Sequence, residues 1–259
     1  MSRDAPFLLL ETGEENRFRI EIPAASPLFA GHFPGSPILP GIAHLAIVER
    51  ALGTPLGAVR SVKIRRPVAP GETLELSLGS PGEGGWTRFE IRREEEMVSN
   101  GAFVTGTGGT EPEEKAFPAV GELPILLPHA PPARLVHGVL EVSAAGIVCA
   151  AEVPPSHPLA GAGRAPALLG IEAAAQAAAV LEALARREED PGPRIGYLVG
   201  VREARFAVPS LPTGRPFRVS ASLQGSAPPL SIYEIAVDGA VTGTVSTFLA
   251  VRDDATRDE

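Results

Sequence analysis

The sequence predicts an α+β fold that is built twice along the 259-residue chain. Three observations predict it: segments with the alternating polar and apolar residues of strands, one strongly apolar helical segment in each half, and a repeated order of motifs. A helix that is apolar nearly all round must be covered by other structure, and the strand-like segments provide an antiparallel sheet to cover it.

Strands are predicted where apolar and polar side chains alternate over short segments. Successive side chains of a strand point to opposite faces, so each segment predicts a strand with one face buried. The clearest segments are Phe18–Ile22, Val62–Arg65, Leu74–Leu78, Arg88–Arg92, Ile147–Val153, Phe217–Leu223 and Val241–Val251.

One principal helix is predicted in each half. The first runs from Pro40 to Leu52 and ends at Gly53, and the second runs from Pro166 to Arg187. Proline suits the first turn because its missing N–H would have no partner within the helix, and glycine suits the position after the last turn. The second helix is apolar nearly all round as far as Leu184, which predicts that it is buried.

The order of motifs repeats between the halves. His32 precedes Pro40 and the first helix, and His157 precedes Pro166 and the second helix. The two histidines are 125 positions apart, and the two prolines are 126 positions apart. The repeat predicts an N-terminal unit over residues 1–110 and a C-terminal unit over residues 120–252. Residues 111–119 are rich in Glu, Pro and Ala and are predicted to form a linker, with a flexible tail at residues 253–259.

Composition excludes several classes of function. The net charge is −8 and there is no basic tract, so no nucleic-acid partner is expected. The sequence contains no run of about 18 apolar residues, so no membrane span is predicted. The N-terminus lacks a secretory signal, so we expect a cytoplasmic location. Cys149 is the only cysteine, which excludes an intramolecular disulfide and a cysteine-based zinc site. We predict no metal and no cofactor.

The segment from Gly31 to Gly41 reads GHFPGSPILPG and holds one titratable side chain, His32, among three prolines and three glycines. Glu172 is the only charged residue between Pro166 and Leu181. Each residue also has a structural interpretation: His32 as a loop residue bonded to backbone, and Glu172 as a buried partner of an arginine.

These segments resemble the 3-hydroxyacyl-ACP dehydratases, which have the hotdog fold. GHFPGSPILPG resembles the active-site loop of that family. In the second half, LPHAPPARLV from Leu127 resembles the opening segment, GIEAAAQ from Gly170 the catalytic helix, and VPSLPTG from Val208 a later turn. The chain is similar to a fusion of the two dehydratase subunits found in aryl polyene-type biosynthetic clusters. The resemblance implies a double hotdog, in which two units form a pseudo-dimer and each sheet wraps round a helix.

The resemblance also implies one composite catalytic site. In the family, the histidine comes from one unit and the acid from the helix of the other, six residues after the helix-opening proline. That position is Ala46 in the first half and Glu172 in the second. We therefore expect His32 to work with Glu172, and a degenerate second site in which His157 faces Ala46.

Dehydration of a 3-hydroxyacyl thioester needs a base for the C2 proton and an acid for the departing hydroxyl group. His32 suits the base role near neutral pH. Burial of Glu172 would favour its protonated form, as a proton donor needs. Gln176 lies one turn further and would orient Glu172, and the N–H of Gly41 would bind the thioester oxygen.

Other titratable residues have weaker indications. His157 is expected to be structural, and His44 is expected to face away from Ala46. Glu49, one turn after Ala46, has two interpretations: a replacement acid for the second site or, as we favour, an exposed residue at a helix end. His129 and His137 are assigned no role. Lys63 and Arg65 form a basic patch with Arg60 and Arg66, which is interpreted either as a carrier-protein surface or as a solvated strand face.

The predicted function is therefore a dehydratase that acts on a 3-hydroxyacyl thioester carried by an acyl carrier protein or by CoA, in a chain that could form further homo-oligomers. The alternatives are a hotdog acyl thioesterase, an enoyl-CoA hydratase, or a non-catalytic acyl-binding or scaffold partner of another dehydratase.

Overall fold

The structure is a computed structural model, and it describes residues 5–106, 109, 117, 127–186 and 195–249. The predicted linker, apart from residue 117, and the predicted tail lie outside the described residues, so both stay predictions. No helix among the described residues is long and apolar enough to cross a membrane.

The described part of the chain contains two α-helices, α1 (Ala43–Leu52) and α2 (Leu169–Arg186). The strands of the first half are β1 (Leu8–Glu11), β2 (Arg17–Glu21), β3 (Leu56–Ile64), β4 (Thr73–Leu78), β5 (Thr87–Arg93) and β6 (Glu96–Thr105). Those of the second half are β7 (Val136–Val142), β8 (Gly146–Glu152), β9 (Arg164–Pro166), β10 (Gly196–Phe206), β11 (Ser210–Pro212), β12 (Pro216–Ala227), β13 (Leu230–Val237) and β14 (Val241–Leu249).

Twelve of these strands form one antiparallel sheet in the order β1-β2-β4-β5-β6-β3-β10-β14-β13-β12-β8-β7. The first six belong to the first half, and the second six repeat their arrangement in reverse, with β10 in the place of β3. The predicted repeat is therefore confirmed as a pseudo-two-fold arrangement. Each half is an antiparallel sheet with one main helix, and the chain is a double hotdog.

The two halves are joined edge to edge through β3 and β10. Their register pairs Val62 with Val201 and Val59 with Ala204, and all four side chains are buried. This pairing satisfies backbone groups that would otherwise form two exposed sheet edges.

Both helices are buried, as their composition predicts. Residues 43–48 of α1 and most of α2 up to Leu181 lie in the apolar core. Helix α1 ends as predicted at Gly53, whose φ of 64° is left-handed. The predicted starts are wrong. Helix α1 begins at Ala43, and Pro166 lies in the short strand β9, where it pairs with Ser210 of β11, so α2 begins three residues later at Leu169.

All seven strand segments singled out from the sequence are strands in the structure, with shifted ends. Strands such as β10 and β13 were not singled out. The interior of β10, VGVREA, has a glycine among its apolar residues, and the pairing of β10 with β14 has two register shifts. Simple alternation of apolar and polar residues therefore does not describe β10.

Candidate active site

His32 lies in the glycine- and proline-rich loop that precedes α1, and only 6% of it is exposed. Its Nδ1 lies 3.1 Å from the carbonyl oxygen of Ile38. A carbonyl oxygen can only accept, so this contact places the proton on Nδ1 and leaves the lone pair on Nε2. The loop itself is tied down by the N–H of Leu39, which donates to the Val68 carbonyl.

Glu172 lies in the first turn of α2 and is 7% exposed. Gln176, one turn further, donates from Nε2 to Glu172 Oε1 at 3.1 Å. The same amide donates to the carbonyl of Ala133 at 2.8 Å and accepts the N–H of Leu135 at 2.8 Å. Gln176 therefore orients the carboxyl group and also anchors the segment that follows residue 127 to α2.

That segment brings a third titratable side chain into the site. His129 is 8% exposed, and its Nε2 lies 3.7 Å from Glu172 Oε1. Its ring centroid is 5.3 Å from that of His32 and 4.9 Å from that of Phe33. Side-chain ligand atoms of His32, His129 and Glu172 all lie within 4.8 Å of one another. His129 has no predicted role, and the only sequence signal for it is its position in the LPHAPPARLV segment.

The first half contributes His32, and the second half contributes Glu172, Gln176 and His129. The two contributions are locked together by a close crossing of backbones. Gly31 has a φ of +78°, and a Cβ at this position would lie 2.0 Å from the carbonyl oxygen of Ala130. The N–H of Ala130 donates to the Gly31 carbonyl at 2.9 Å. Only glycine permits this approach, because any side chain would push the His129 segment away from the His32 loop.

Burial controls the charge state of the two imidazoles. It lowers the pKa of His32 from its ordinary value, and the nearby Glu172 carboxylate opposes this effect. Burial, aided by His32, lowers the pKa of His129 to about 3. Both imidazoles therefore favour their neutral forms near neutral pH, as a base and a hydrogen-bonding group require.

A cavity of about 550 Å³ opens onto these residues and is lined by both halves. One face of α2 forms a wall, with Glu172, Ala175, Gln176, Ala179 and Glu182 at helical spacing. The opposite wall is contributed by the loop before α1, the end of β3 and the start of β10. The small side chains of Ala175 and Ala179 leave room for a chain-like ligand alongside the helix.

Gly41 lines the same cavity at the approach to α1. A Cβ there would lie 2.9 Å from the Cδ1 of Ile64 and 3.1 Å from the carbonyl oxygen of Leu198. Within the described part of the chain, its N–H makes no hydrogen bond to another residue.

His44 also lines the cavity and is buried. Its Nδ1 lies 2.9 Å from Ser99 Oγ, and burial lowers the pKa of His44 to about 4.

The second histidine occupies a different setting. His157 is buried, its Nδ1 accepts the N–H of Leu159, and burial lowers its pKa to about 4. It lies beside a void of about 10 Å³ that Glu172 also lines, which is room for roughly one water molecule. Ala46 lines neither this void nor the main cavity, so the expected pairing of His157 with Ala46 is not seen around either.

Glu49, which was expected to be exposed, is instead half-buried at the end of α1, and burial raises its pKa to about 7. Glu49 does not line the main cavity. His137 is exposed on β7 and lies away from the site.

The basic residues on β3 and directly after it lie in different surroundings. Lys63 and Arg65 are exposed, as their alternation with Val62 and Ile64 predicts. Arg65 and Arg66 line the cavity, whereas Lys63 does not. Arg66 forms an ion pair with Glu96 at 2.6 Å, and Arg60 stacks over the ring of Trp86.

Imidazole and carboxylate groups also ligate transition metals. Ligand atoms of His32, His129 and Glu172 lie within 4.8 Å of one another, and the expected absence of a metal stays a prediction.

Comparison with protein families matches residues 122–255 to the family described as ApeP dehydratase, which is more than half of the chain. The chain belongs to the ApeP dehydratase family. Residues 10–102 match the family described as ApeI dehydratase, so one chain carries both kinds of unit.

Individual proteins similar to this chain are also dehydratases. The 3-hydroxyacyl-acyl-carrier-protein dehydratase FabZ of Thermus thermophilus is 36% identical over 90 residues, which covers 27% of this chain and 63% of the relative. The corresponding protein of Chlamydia trachomatis is 38% identical over 65 residues, covering 19% and 42%. The chain thus spans between two fifths and two thirds of the length of these relatives.

Among solved structures, the dehydratase domain of RzxB from Pseudomonas fluorescens superposes with a TM-score of 0.66 at 13% identity. The match covers 92% of this chain and 96% of that domain. At this identity the similarity concerns the fold, and it shows that the arrangement of both halves together is shared.

The crossing at Gly31 generates a prediction. The Gly31→Ala variant should lose on the order of 10²-fold in turnover, because separating the two loops by about 1 Å misplaces His32 relative to Glu172. Turnover of a 3-hydroxyacyl thioester and thermal unfolding would be measured together.

The matched control is Gly35→Ala in the same loop. Gly35 also has a positive φ, of +88°, but a Cβ there meets nothing within 4 Å. This variant should show only the backbone cost of about 1–2 kcal/mol. Equal effects of the two substitutions on turnover would show that the crossing does not position the site.

Proposed function

We propose that the chain dehydrates 3-hydroxyacyl thioesters to trans-2-enoyl thioesters at one composite site formed by both halves. The observation that carries this proposal is the convergence of His32 from the first half with Glu172 from the second in one cavity. A base and an acid on opposite sides of a bound substrate are the two groups that β-elimination of water requires.

His32 acts as the base. Its Nδ1–H is held by the Ile38 carbonyl, so the lone pair of Nε2 is free to take the C2 proton. Electrons from the broken C2–H bond form the C2–C3 double bond as the C3–O bond breaks. After the product leaves, His32 gives up this proton and Glu172 regains one, so both groups return to their starting states.

Glu172 acts as the acid and gives its proton to the departing oxygen, which leaves as water. Gln176 supports this role because it fixes one carboxyl oxygen with its own N–H. Gly41 lines the cavity, and its N–H makes no bond to another described residue. This N–H would bind the thioester oxygen as negative charge develops on it.

The alternatives from the sequence have less support. A thioesterase needs a nucleophile or a placed water at the carbonyl carbon, whereas His32 and Glu172 form a pair suited to proton transfer. A purely acyl-binding partner would not need a carboxyl group in its cavity, since burying a carboxyl group is costly. Enoyl hydration is the reverse of the proposed reaction and uses the same residues.

Substitutions of the paired residues test the one-site proposal. His32→Ala and Glu172→Gln should each lower turnover by on the order of 10²–10⁴-fold, because each removes one proton transfer. His157→Ala should leave turnover near that of the parent protein. Conversion of 3-hydroxyacyl to enoyl thioester would be followed by its absorbance and by product analysis. Comparable losses for the two histidine variants would contradict a single site, and release of free thiol would favour a thioesterase.

The pH dependence follows from His32. The base is active when it is neutral. We therefore expect kcat/KM to be low at pH values below the pKa of His32 and to rise as the pH increases through that pKa. Burial lowers that pKa, so the midpoint of the acid limb should lie below the ordinary value of 6.5. In Glu172→Gln, loss of the carboxylate should lower the pKa of His32 further, which NMR titration can measure. A midpoint above 6.5 would contradict this assignment.

The acyl carrier of the substrate is part of the same proposal. An acyl carrier protein is acidic, and the exposed Arg65 at the cavity and the neighbouring Lys63 offer it positive charge. A cytoplasmic location and further homo-oligomerisation stay predictions.

Charge reversal tests the carrier surface. Arg65→Glu, with or without Lys63→Glu, should weaken kcat/KM for a carrier-bound substrate about tenfold at low salt, because rim charges act mainly on association. The same acyl group on a short synthetic thioester should be turned over as in the parent protein. Arg88→Glu, an exposed charge reversal on β5 away from the cavity, is the matched control. An equal loss with both substrates would show that these residues do not recognise the carrier.

A further inference from the structure

His129 has features that packing alone does not explain. It is buried, it lines the main cavity, and its ring lies against both His32 and Phe33. Its Nδ1 is buried and has no hydrogen-bond partner among the described residues. The mechanism above uses one histidine and one glutamate and leaves this second imidazole without a task.

The environment of His129 indicates which nitrogen carries the proton. A neutral imidazole has one N–H and one lone pair. Buried N–H groups without partners are rare in native structures, whereas unfilled acceptor positions are tolerated more often. The partnerless Nδ1 is therefore the lone-pair nitrogen, and the N–H is on Nε2, which faces Glu172.

The distance to Glu172 leaves a place for one oxygen atom. Nε2 of His129 and Oε1 of Glu172 are 3.7 Å apart, which is too long for a hydrogen bond between them. A single oxygen can lie about 2.8–2.9 Å from both atoms at once, at ordinary hydrogen-bond distances. A ligand atom of His32 lies within 4.8 Å of the same groups, so the base is also within reach of a substrate bound there.

We propose that His129 is a third catalytic residue, which donates its Nε2–H to the C3 hydroxyl oxygen of the substrate and holds that oxygen beside Glu172. This inference rests on the proposed dehydratase function. During the reaction, His32 takes the C2 proton, the C2–C3 double bond forms, the C3–O bond breaks, and Glu172 protonates the departing oxygen to give water. His129 keeps its hydrogen bond to that oxygen throughout and neither gains nor loses a proton.

The burial of His129 suits this task. A group that stays neutral does not compete with His32 for the C2 proton, and it adds no positive charge beside it. Contact with the Phe33 ring fixes the imidazole plane, and the Gln176 contacts to the following residues fix the segment that carries it.

Ligand binding separates this role from a structural one. In the Glu172→Gln background, which prevents turnover, affinity would be measured for a 3-hydroxyacyl thioester and for the same acyl thioester without the hydroxyl group. Adding His129→Phe should lower the preference for the hydroxylated ligand about fivefold, the value of one hydrogen bond, and leave binding of the other ligand unchanged. Adding His129→Asn, whose amide can still donate, should retain part of the preference.

Turnover gives the second measurement. With Glu172 intact, His129→Phe should lower kcat by on the order of 10²-fold, as loss of a hydrogen-bond donor to a developing charge does, and His129→Asn should lower it less. His157→Asn, a buried histidine outside the main cavity, is the matched control and should change neither measurement.

An unchanged preference for the hydroxylated ligand in His129→Phe would overturn the proposal, as would an equal loss of affinity for both ligands. If the parent protein shows no dehydration of any 3-hydroxyacyl thioester, the proposed function fails. The binding comparison still reports on His129 in that case, so the two failures are distinguishable.

Discussion

The site depends on the close crossing of two backbones, at Gly31 in the first half and Ala130 in the second. Pairing of β3 with β10 brings the halves together, but it does not by itself fix the distance between their loops. The crossing does so, because the missing side chain of Gly31 lets the Ala130 carbonyl approach and the Ala130 N–H donate back to Gly31. A two-unit site of this kind tolerates little error, since its reacting groups are carried by different units.

Gln176 gives the second half of the site its rigidity. Its amide contacts Glu172 and the backbone between Ala133 and Val136, so one buried side chain sets both the carboxyl group and the segment that carries His129. A buried amide without these partners would cost about 1–3 kcal/mol for each unsatisfied group. Such satisfied polar networks hold a single arrangement, which is the requirement of a site that must direct two proton transfers.

The two units form an asymmetric pair. They share strand order, and each has one main helix, yet the spaces beside their histidines differ. The main cavity has room for a chain-like substrate, whereas the void beside His157 has room for roughly one water molecule.

The sequence by itself determined the repeated α+β architecture, seven of the strands, the burial of both helices and, through its motifs, the candidacy of His32 and Glu172. These features are local, since they follow from periodicity and residue type over short segments. The tertiary structure alone decided that His129 joins the site, that Gly31 must be glycine, that α2 begins after Pro166, and that His157 lies beside a small void. Each of these depends on a contact between residues far apart in the chain, and the spacing of residues within one segment carries no information about such contacts.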